Sequence, residues 1–541
     1  MNNFDIEYRL ASGGGHVHAD QSNDDLEVAI SSDEHRFTAK IKAKKEIILA
    51  RGKLAEVRKM YHDDIFPTNG FQSWTDTREL TLRDHEKNVL KLPSTLVKAF
   101  AFDRYGDAIF YPYKPNTLHG YDLFYVKGED ELFSFNYNHL TAYVVYEVDT
   151  KKKVLNLLSD VFGLHMKAGD EITLFDLYFG TDYAEGLKEF RASFSPREAK
   201  KLFGYTSWYN YYQDINEKII LRDLDALDSR FELFQIDDGY ETFVGDWLDV
   251  DPAKFPNGLS PIVKKIHSKG YKAGIWLAPF VAETKSRLFR EHPDWIKKDD
   301  KGEPAKAGSN WSGFYCLDLG KKEVLDYIRK CLETYMEMGF DFFKLDFLYA
   351  VTVAPIEGKS RAQMSQFAYS FLREVLKDKL ILGCGANIFS SHNNFDYLRI
   401  GPDVSLAFDD IWYMKFMHRE RISTKVTLQN TIYRSLFNGV LFHNDPDVFL
   451  LRKENIKLNA AQKESLLTIN ALFGSLLMTS DDIATYDEET RALLEEKLRL
   501  FYEAKDVHFT KKGKCIHIFY TLDKRRHRLV YNTRKGTLQH D

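Results

Sequence analysis

From about residue 200 onward the chain alternates short apolar runs with longer amphipathic, charged segments, and this alternation constrains the fold more than any other feature. Eight runs have the length and the apolar content of buried strands. They are residues 203–208, 231–237, 272–279, 340–346, 380–385, 397–400, 440–444 and 475–479. Eight such units within roughly 280 residues predict a (β/α)8 barrel. A doubly wound sheet is the alternative, but none of the runs is followed by a glycine-rich phosphate loop.

Shorter strand-like runs flank this region on both sides. Residues 37–43 and 141–148 typify the alternating runs of the first 190 residues, which predict a β-sandwich. After the barrel, a helical run at 488–502 precedes short β-like pieces at 515–520 and 528–531. A chain of 541 residues is too long for one ordinary core. We therefore predict an N-terminal β-sandwich at 1–195, a catalytic barrel at 196–486 and a small C-terminal β-domain at 487–541.

Charged and aromatic residues gather where the predicted barrel strands end. The functional face of a barrel is built from the C-terminal ends of its strands, so these side chains are expected to share one site. The acidic residues at these ends are Asp237, Asp238, Asp346, Asp403, Asp445 and Asp447. Lys344, Arg399 and the aromatic residues Trp208, Tyr209 and Trp276 accompany them. Sugars offer hydroxyls to charged groups and an apolar face to aromatic rings, so the set predicts a carbohydrate site.

The acidic residues at the strand ends could instead have structural or metal-binding roles. Each strand-end Asp could cap the helix that follows it. Capping alone, however, does not explain why Lys344 and Arg399 lie at the same ends. Clustered carboxylates could also bind a metal, but His443 is the only histidine at a strand end, and we expect no metal ligand. Trp74 follows an Asn-Gly turn pair in the first domain and could belong to either the core or the site.

Two carboxylates would be enough for glycoside hydrolysis. A retaining mechanism uses one carboxylate as nucleophile and the other as acid and base, whereas inversion needs more room for a water molecule. The fourth and sixth predicted strands would place Asp346 and Asp403 on facing walls of one pocket. Lys344 lies two residues before Asp346 and therefore on the same side of the strand, where its charge favours an ionised nucleophile.

The motifs along the barrel resemble those of glycoside hydrolase family 36, a family of α-galactosidases. The matching segments, in family order, are GYTSWY at 204–209, FQIDDGY at 234–240, GDW at 245–247, GIWLAPF at 274–280, FKLDF at 343–347, LGCG at 382–385, RIGPD at 399–403 and NDPD at 444–447. They span the whole predicted barrel. Residues 69–74 also resemble the loop that reaches over the active site from the first domain in this family. In size the chain is similar to the compact prokaryotic members.

The resemblance implies specific roles for residues of this chain. Asp346 would be the nucleophile of a retaining mechanism, and Asp403 the general acid and then the general base. Asp237 and Asp238 would bind the galactose hydroxyls at positions 4 and 6. Further substrate contacts would come from Trp74, Trp208, Tyr209, Trp276, Lys344, Cys384 and Arg399, with Cys384 in the pocket floor.

Arg399 and the segment after Asp403 both bear on the assignment of Asp403 as the general acid. Arg399 would lower the pKa of Asp403 if the two paired, so we expect Arg399 to point at substrate instead. After Asp403 the chain reads VSLAFDD, where family members often continue toward a Pro-aromatic pair. This segment would shape the leaving-group side, and its Asp409 and Asp410 are alternative candidates for the acid.

Composition excludes several other classes of protein. A net charge of −5 without a basic block gives no indication of nucleic-acid binding. No run reaches the ~18 apolar residues of a membrane span, and the N-terminus does not resemble a signal peptide. The four dispersed cysteines favour a reducing compartment. We therefore predict a cytoplasmic enzyme that needs no cofactor, acts on a small oligosaccharide, and could form a homo-oligomer.

The leading hypothesis is an exo-acting α-galactosidase on melibiose or raffinose-type sugars. Within the enzymes, the alternatives are an α-N-acetylgalactosaminidase, an α-1,6-glucosidase or a transglycosylase that passes galactose to another sugar. From a different class, a non-catalytic sugar-binding protein would usually lack one of the two carboxylates, and both Asp346 and Asp403 are present.

Overall fold

The computed structural model describes residues 3–84, 95–97, 102–112, 114–299, 301–354, 356–417 and 420–540. The strands of its first part are β1 Phe4–Leu10, β2 Val17–Ala19, β3 Leu26–Ser32, β4 Arg36–Ala43, β5 Ile47–Lys59, β6 Phe66–Asn69, β7 Thr77–Leu80, β8 Thr117–Tyr121, β9 Leu123–Val126, β10 Leu132–Asn136, β11 Tyr143–Asp149, β12 Val154–Met166 and β13 Glu171–Gly180. They form a six-stranded sheet in the order β2-β1-β5-β12-β11-β8 and a five-stranded sheet in the order β3-β4-β13-β10-β9. Strands β6 and β7 form a separate hairpin.

These two sheets share one hydrophobic core. Strand β4 alternates exposed and buried positions, as the period of two in its sequence requires. Its buried Phe37 and Ile41 belong to the same cluster as Ile6 and Leu49 of the other sheet. The first part of the chain is therefore a β-sandwich, as predicted.

The central part is a parallel sheet that closes on itself. Eight strands alternate with helices: β14 Leu202–Thr206, β15 Leu233–Ile236, β16 Lys272–Leu277, β20 Phe342–Leu345, β21 Leu380–Gly383, β22 Tyr397–Arg399, β23 His443–Asp445 and β25 Leu476–Thr479. A short strand β24, Val448–Phe449, pairs with β25, and β23 pairs with β22. Strands β23 and β24 stand at the two ends of the sheet order. Because they are two halves of one interrupted strand, the sheet closes into a ring. The predicted (β/α)8 barrel with flanking β-regions is confirmed.

The fourth barrel strand shows why the apolar runs are continuous. Phe342, Phe343 and Leu345 of β20 are completely buried, which explains the continuous apolar run in the sequence. Three short strands form a small sheet beside the third barrel strand: β17 Val281–Glu283, β18 Lys306–Gly308 and β19 Phe314–Cys316.

A four-stranded antiparallel sheet ends the chain. Its strands are β26 Lys505–Lys512, β27 Cys515–Leu522, β28 Arg525–Asn532 and β29 Thr537–His540. It follows a sixteen-residue helix, as the sequence predicts. The domain limits at 195/196 and 486/487 stay predictions.

Among the described residues, the α-helices of four residues or more are α1 Tyr183–Ser193, α2 Trp208–Tyr211, α3 Glu217–Ala226, α4 Ser260–Ser268, α5 Arg287–Glu291, α6 Lys322–Met338, α7 Arg361–Leu376, α8 Trp412–Met417, α9 Thr424–Tyr433, α10 Ala460–Phe473 and α11 Glu488–Glu503. Short 3₁₀ helices lie at Phe102–Tyr105, Asp107–Ile109, Pro293–Trp295, Leu348–Thr352, Phe389–Ser391, Ser435–Phe437 and Ile483–Thr485. Within the described ranges, no helix combines the length and apolarity that crossing a bilayer would require.

Candidate active site

A cavity of about 320 Å³ opens at the C-terminal ends of the barrel strands. Four of the predicted acidic residues line it, namely Asp237, Asp238, Asp346 and Asp403. Lys344 and the rings of Trp74, Trp208 and Trp276 line it as well. The volume falls in the ~300–1,000 Å³ range of small-molecule sites. The tertiary fold thus brings together residues that lie far apart in the sequence.

Asp346 lies immediately after β20, with both carboxylate oxygens held by donors. The indole Nε1 of Trp276 donates to Oδ2 at 3.0 Å, and the backbone N–H of Phe347 donates to Oδ1 at 2.8 Å. Phe347 has a φ of 53°, a left-handed conformation that is uncommon for an aromatic residue. Such strain is typical of functional sites. The Asp346 carboxylate therefore has a fixed orientation.

Lys344 pairs with Asp237 on the wall of the cavity. The Lys344 Nζ lies 2.9 Å from Asp237 Oδ2, and both side chains are almost completely buried. Burial is the largest single influence and would lower the pKa of Lys344, but the charges of Asp237, Asp346 and Cys384 together outweigh it and the pKa is raised. The same oxygen of Asp237 accepts from Thr206 at 3.1 Å and from Gln235. Lys344 therefore remains a cation with donors to spare for a ligand hydroxyl.

Asp238 is surrounded by neutral donors. The indole of Trp311 donates to Oδ2 at 2.9 Å, and the amide of Gln213 donates to Oδ1 at 3.0 Å. Burial raises the pKa of Asp238, and these donors, together with Glu241, oppose the rise. Burial and the neighbouring Asp238 also raise the pKa of Glu241 well above its usual value. The pair therefore favours a state in which Glu241 keeps its proton and Asp238 is the acceptor.

Asp403 differs from Asp346 in its environment. Burial raises the pKa of Asp403, and the charge of Asp346 adds to the rise. The positive charges of Arg399 and Lys344 act in the opposite direction without cancelling it. About 36% of the Asp403 side-chain surface stays exposed, so the carboxyl group is open to the cavity. It can hold a proton at a higher pH than an ordinary aspartate.

The prediction that Arg399 points at substrate and not at Asp403 is wrong. Arg399 does not line the cavity, and its Nη1 lies 3.1 Å from Asp403 Oδ1. The contact is a single one, because Nε is 2.8 Å from Asp445 and Nη2 is 2.9 Å from Asp447. Two further carboxylates thus compete for the guanidinium, which explains why its effect on the pKa of Asp403 is incomplete.

Two other predicted contact residues lie behind the cavity wall. The hydroxyl of Tyr209 donates to Asp447 and interacts with Asp403, and its ring is buried. Cys384 is buried outside the lining, where burial and the charge of Asp346 raise its pKa well above the usual range. Both side chains are thus buried, and neither lines the cavity.

Several residues that line the cavity were not predicted from the sequence. Tyr105 comes from the first part of the chain, and Asn310 and Trp311 come from a connection after the third barrel strand. Trp311 has a φ of 53°. The segment GSNWSG at 308–313, a tryptophan between turn-forming residues, was the available signal.

Of the two alternative acids, only Asp410 lines the cavity. Asp409 is held by Arg421 at 2.7 Å, and the charge of Arg421 lowers the pKa of Asp409 although burial would raise it. A carboxyl group with a lowered pKa is a poor proton donor, so Asp409 does not suit that role. Among the described residues, no group of three or more His, Cys, Asp or Glu side chains is placed to hold a metal ion.

Comparison with known proteins identifies relatives of the barrel. Residues 190–379 match the family model for melibiase. An α-galactosidase of Pediococcus pentosaceus is 32% identical over 164 residues, which cover 28% of this chain and 22% of the relative. An α-galactosidase of Escherichia coli is 29% identical over 193 residues, which cover 34% of this chain and 27% of the relative. The matched part thus spans about a quarter of the length of these curated relatives.

The likeness to solved structures extends over nearly the whole chain. An α-galactosidase from Thermus thermophilus in complex with p-nitrophenyl α-D-galactopyranoside superimposes with a TM-score of 0.71 at 24% identity, covering 96% of this chain and 98% of the other. This likeness concerns the fold, and the sequence match concerns the barrel that carries the cavity. Residues 190–379 are thus similar in sequence to the melibiase family, and nearly the whole chain is similar in fold to an α-galactosidase.

Proposed function

We propose that the chain is a retaining exo-α-galactosidase that removes terminal α-D-galactosyl residues from small oligosaccharides of the melibiose and raffinose type. The observation that supports this most is the pair Asp346 and Asp403. They line one cavity from the fourth and sixth barrel strands, with the environments that a nucleophile and an acid require. The curated relatives named above are α-galactosidases, and the Thermus thermophilus enzyme has also been solved with stachyose.

In the first step, a carboxylate oxygen of Asp346 attacks the anomeric carbon, and the bond from that carbon to the leaving oxygen breaks. Asp403 gives its proton to the leaving oxygen, so the aglycone departs as a neutral alcohol. In the second step, Asp403 takes a proton from water, whose oxygen attacks the anomeric carbon and displaces Asp346. Both carboxyl groups return to their starting states, and the configuration at the anomeric carbon is retained.

The surroundings of the two carboxyl groups fit these roles. The donors from Trp276 and Phe347 hold the Asp346 carboxylate in place and leave lone pairs for attack. The raised pKa of Asp403 favours the protonated form that a general acid needs. When Asp346 becomes an ester its negative charge is lost, so the pKa of Asp403 falls and the group is ready to act as a base.

The remaining groups bind the sugar. We assign Asp237 and Asp238 to the hydroxyls at positions 4 and 6 of galactose, and Lys344 to a further hydroxyl. The rings of Trp74 and Trp208 form side walls against which the apolar face of the sugar packs. Tyr209, Cys384 and Arg399, which do not line the cavity, act on the site through Asp403 and Asp346. The cytoplasmic location and a homo-oligomeric state stay predictions.

The test is replacement of the nucleophile. Asp346→Gly should abolish hydrolysis of nitrophenyl α-galactoside without changing the circular dichroism spectrum. Added azide should restore turnover and give the β-galactosyl azide, because the small anion occupies the space of the missing carboxylate and attacks the anomeric carbon once, with inversion. Unchanged activity in the variant would refute the assignment of Asp346.

A panel of aryl glycosides then tests the sugar preference. The α-galactoside should be cleaved faster than the α-glucoside and the N-acetyl-α-galactosaminide. A reversed order would support one of the related α-glycosidases. Galactosyl transfer products at high acceptor concentration would indicate a transglycosylase, and galactose binding without any cleavage would indicate a binding protein.

A further inference from the structure

A buried arginine outside the cavity contacts the loop that carries Trp74. Arg434 follows helix α9, and none of its side-chain surface is exposed. A buried charge is costly unless it is paired or hydrogen-bonded. In the described part of the chain, the hydrogen bonds of this guanidinium go to neutral oxygens only. The acceptors are the backbone oxygens of Ser73 at 2.6 Å, Ile400 at 2.8 Å, Gln72 at 3.0 Å and Gly70 at 3.2 Å, and the side chains of Asn69 and Thr75, both at 3.3 Å.

This arginine remains charged at neutral pH. Burial lowers the pKa of Arg434 to about 9, and the charges of Asp107, Asp76 and Glu420 offset part of the fall. A planar guanidinium has five N–H donors at fixed angles, so it can fix several carbonyl groups at once, which a lysine cannot do. Five of its six acceptors belong to residues 69–75, and the sixth, Ile400, belongs to the barrel.

The loop in question lies between β6 and β7 and reaches the cavity with Trp74. The Trp74 ring lies 5.2 Å from Phe347 and 5.6 Å from Tyr349, both as edge contacts. Phe347 directly follows the proposed nucleophile. The position of Trp74 is therefore coupled to the backbone that orients Asp346.

Other barrel side chains hold the same loop. Asn430, one turn before Arg434 on helix α9, donates to Thr75 O at 2.9 Å and accepts from Thr77 N at 3.0 Å. Glu420 accepts from the backbone N–H groups of Asp76 at 3.3 Å and Asp107 at 2.9 Å. Barrel side chains other than Arg434 therefore also hold this loop in place.

We propose that Arg434 is a positioning residue for the reaction: it fixes the carbonyl groups of the loop and thereby holds Trp74 against the bound sugar. The sandwich then supplies a part of the active site, and the barrel sets the geometry of that part. The inference rests on the proposed function, since it concerns how the same site binds its galactosyl group. A small displacement of a positioning group can cost ~10²-fold in rate.

A double-mutant cycle tests whether Arg434 acts through Trp74. Arg434→Lys should lower kcat/KM for nitrophenyl α-galactoside at least tenfold, mainly through KM. In a Trp74→Ala background the same change should have less than about a twofold effect, because residues that act through one another are not additive. Additive effects of the two substitutions would overturn the proposal.

Two further variants separate positioning from general stability. Asn430→Ala should show the same non-additivity with Trp74→Ala, and it serves as the test if Arg434→Lys does not fold. Arg373→Lys is the control, because Arg373 on α7 also donates to backbone oxygens, those of Asn394, Lys377 and Lys379, besides pairing with Asp396. It does not contact the loop, so it should be additive with Trp74→Ala. Non-additivity of this control as large as that of Arg434 would contradict a specific role.

A second readout does not need activity. Hydrogen exchange of backbone amides at residues 69–77 should accelerate in Arg434→Lys and stay unchanged in Arg373→Lys. Unchanged exchange in Arg434→Lys would overturn the proposal even if no α-galactoside is cleaved. Absence of cleavage by the wild-type chain would instead refute the proposed function, and the exchange measurement would still decide the role of Arg434.

Discussion

Replacing Trp311 by Phe should change the pH dependence of sugar binding. The substitution keeps an aromatic ring beside Trp276 and Phe347 but removes the indole N–H that donates to Asp238. Asp238 would keep the Gln213 amide, which lies 3.0 Å from Oδ1 and 3.2 Å from Oδ2, and lose the indole donor on Oδ2. Its ionised form, which accepts hydrogen bonds from sugar hydroxyls in the proposed function, would therefore be less stable.

The size of the effect follows from the geometry. The lost bond is 2.9 Å long, and Asp238 is only 2% exposed, so solvent does not replace the donor fully. A hydrogen bond to a charged group contributes about 1.5–3 kcal/mol. One pKa unit corresponds to about 1.4 kcal/mol, so the pKa of Asp238 should rise by about 1–2 units. In the wild type, burial already raises the pKa of Asp238. Its ionised form is lost as the pH falls through this pKa. The loss should thus begin at a higher pH in the variant.

Titration calorimetry with galactose from acidic to neutral pH measures this shift directly. The variant should lose affinity at a pH about 1–2 units higher than the wild type. Trp276→Phe is the control, because it removes the same kind of donor from Asp346 instead of Asp238. Superimposable binding profiles for wild type and Trp311→Phe would refute the reasoning, as would an equal shift in the control.

Three other changes have defined outcomes. Tyr209→Phe removes a donor that lowers the pKa of Asp403, so the alkaline limb of kcat/KM should move up by about 0.5–1 pH unit; a downward shift would contradict this. Lys344→Met leaves Asp237 unpaired in the core and should destabilise the fold by about 3–5 kcal/mol, measured by thermal unfolding. The double variant with Asp237→Asn should recover stability, and no recovery would exclude the pair as the cause. Asp403→Asn should slow a disaccharide by ~10²–10⁴-fold and nitrophenyl α-galactoside much less, because nitrophenolate departs without a proton. Equal losses on both substrates would argue against general acid catalysis by Asp403.

Much of the barrel could be predicted because buried parallel strands need continuous apolar runs. All eight predicted strands are present. The first residue differs most for the seventh strand, which was predicted at residues 440–444 and lies at His443–Asp445. The carboxylates at 346 and 403 could be placed on one face because the barrel brings the ends of its strands together. Strand period and strand order are properties of the local sequence, so these results did not require coordinates.

The direction of Arg399 shows what the sequence could not determine. Which acid a guanidinium approaches depends on the relative distances of Asp403, Asp445 and Asp447, which come from two different strands. Likewise, Tyr209 and Cys384 occupy strand ends as expected, yet both are buried and neither lines the cavity. Burial of this kind is the result of packing among many elements.

The sequence by itself determined the fold class, the family resemblance and the two proposed catalytic carboxyl groups. Only the tertiary structure showed that Trp311 supports Asp238 and that Arg434 holds the Trp74 loop in place. Both contacts join residues far apart in the chain, through a loop at a positive φ and through carbonyl groups whose direction no local pattern encodes. The Trp311 contact exists only once the barrel has closed, and the Arg434 contact only once the sandwich and the barrel have packed together, because the packing itself brings the donors to their acceptors.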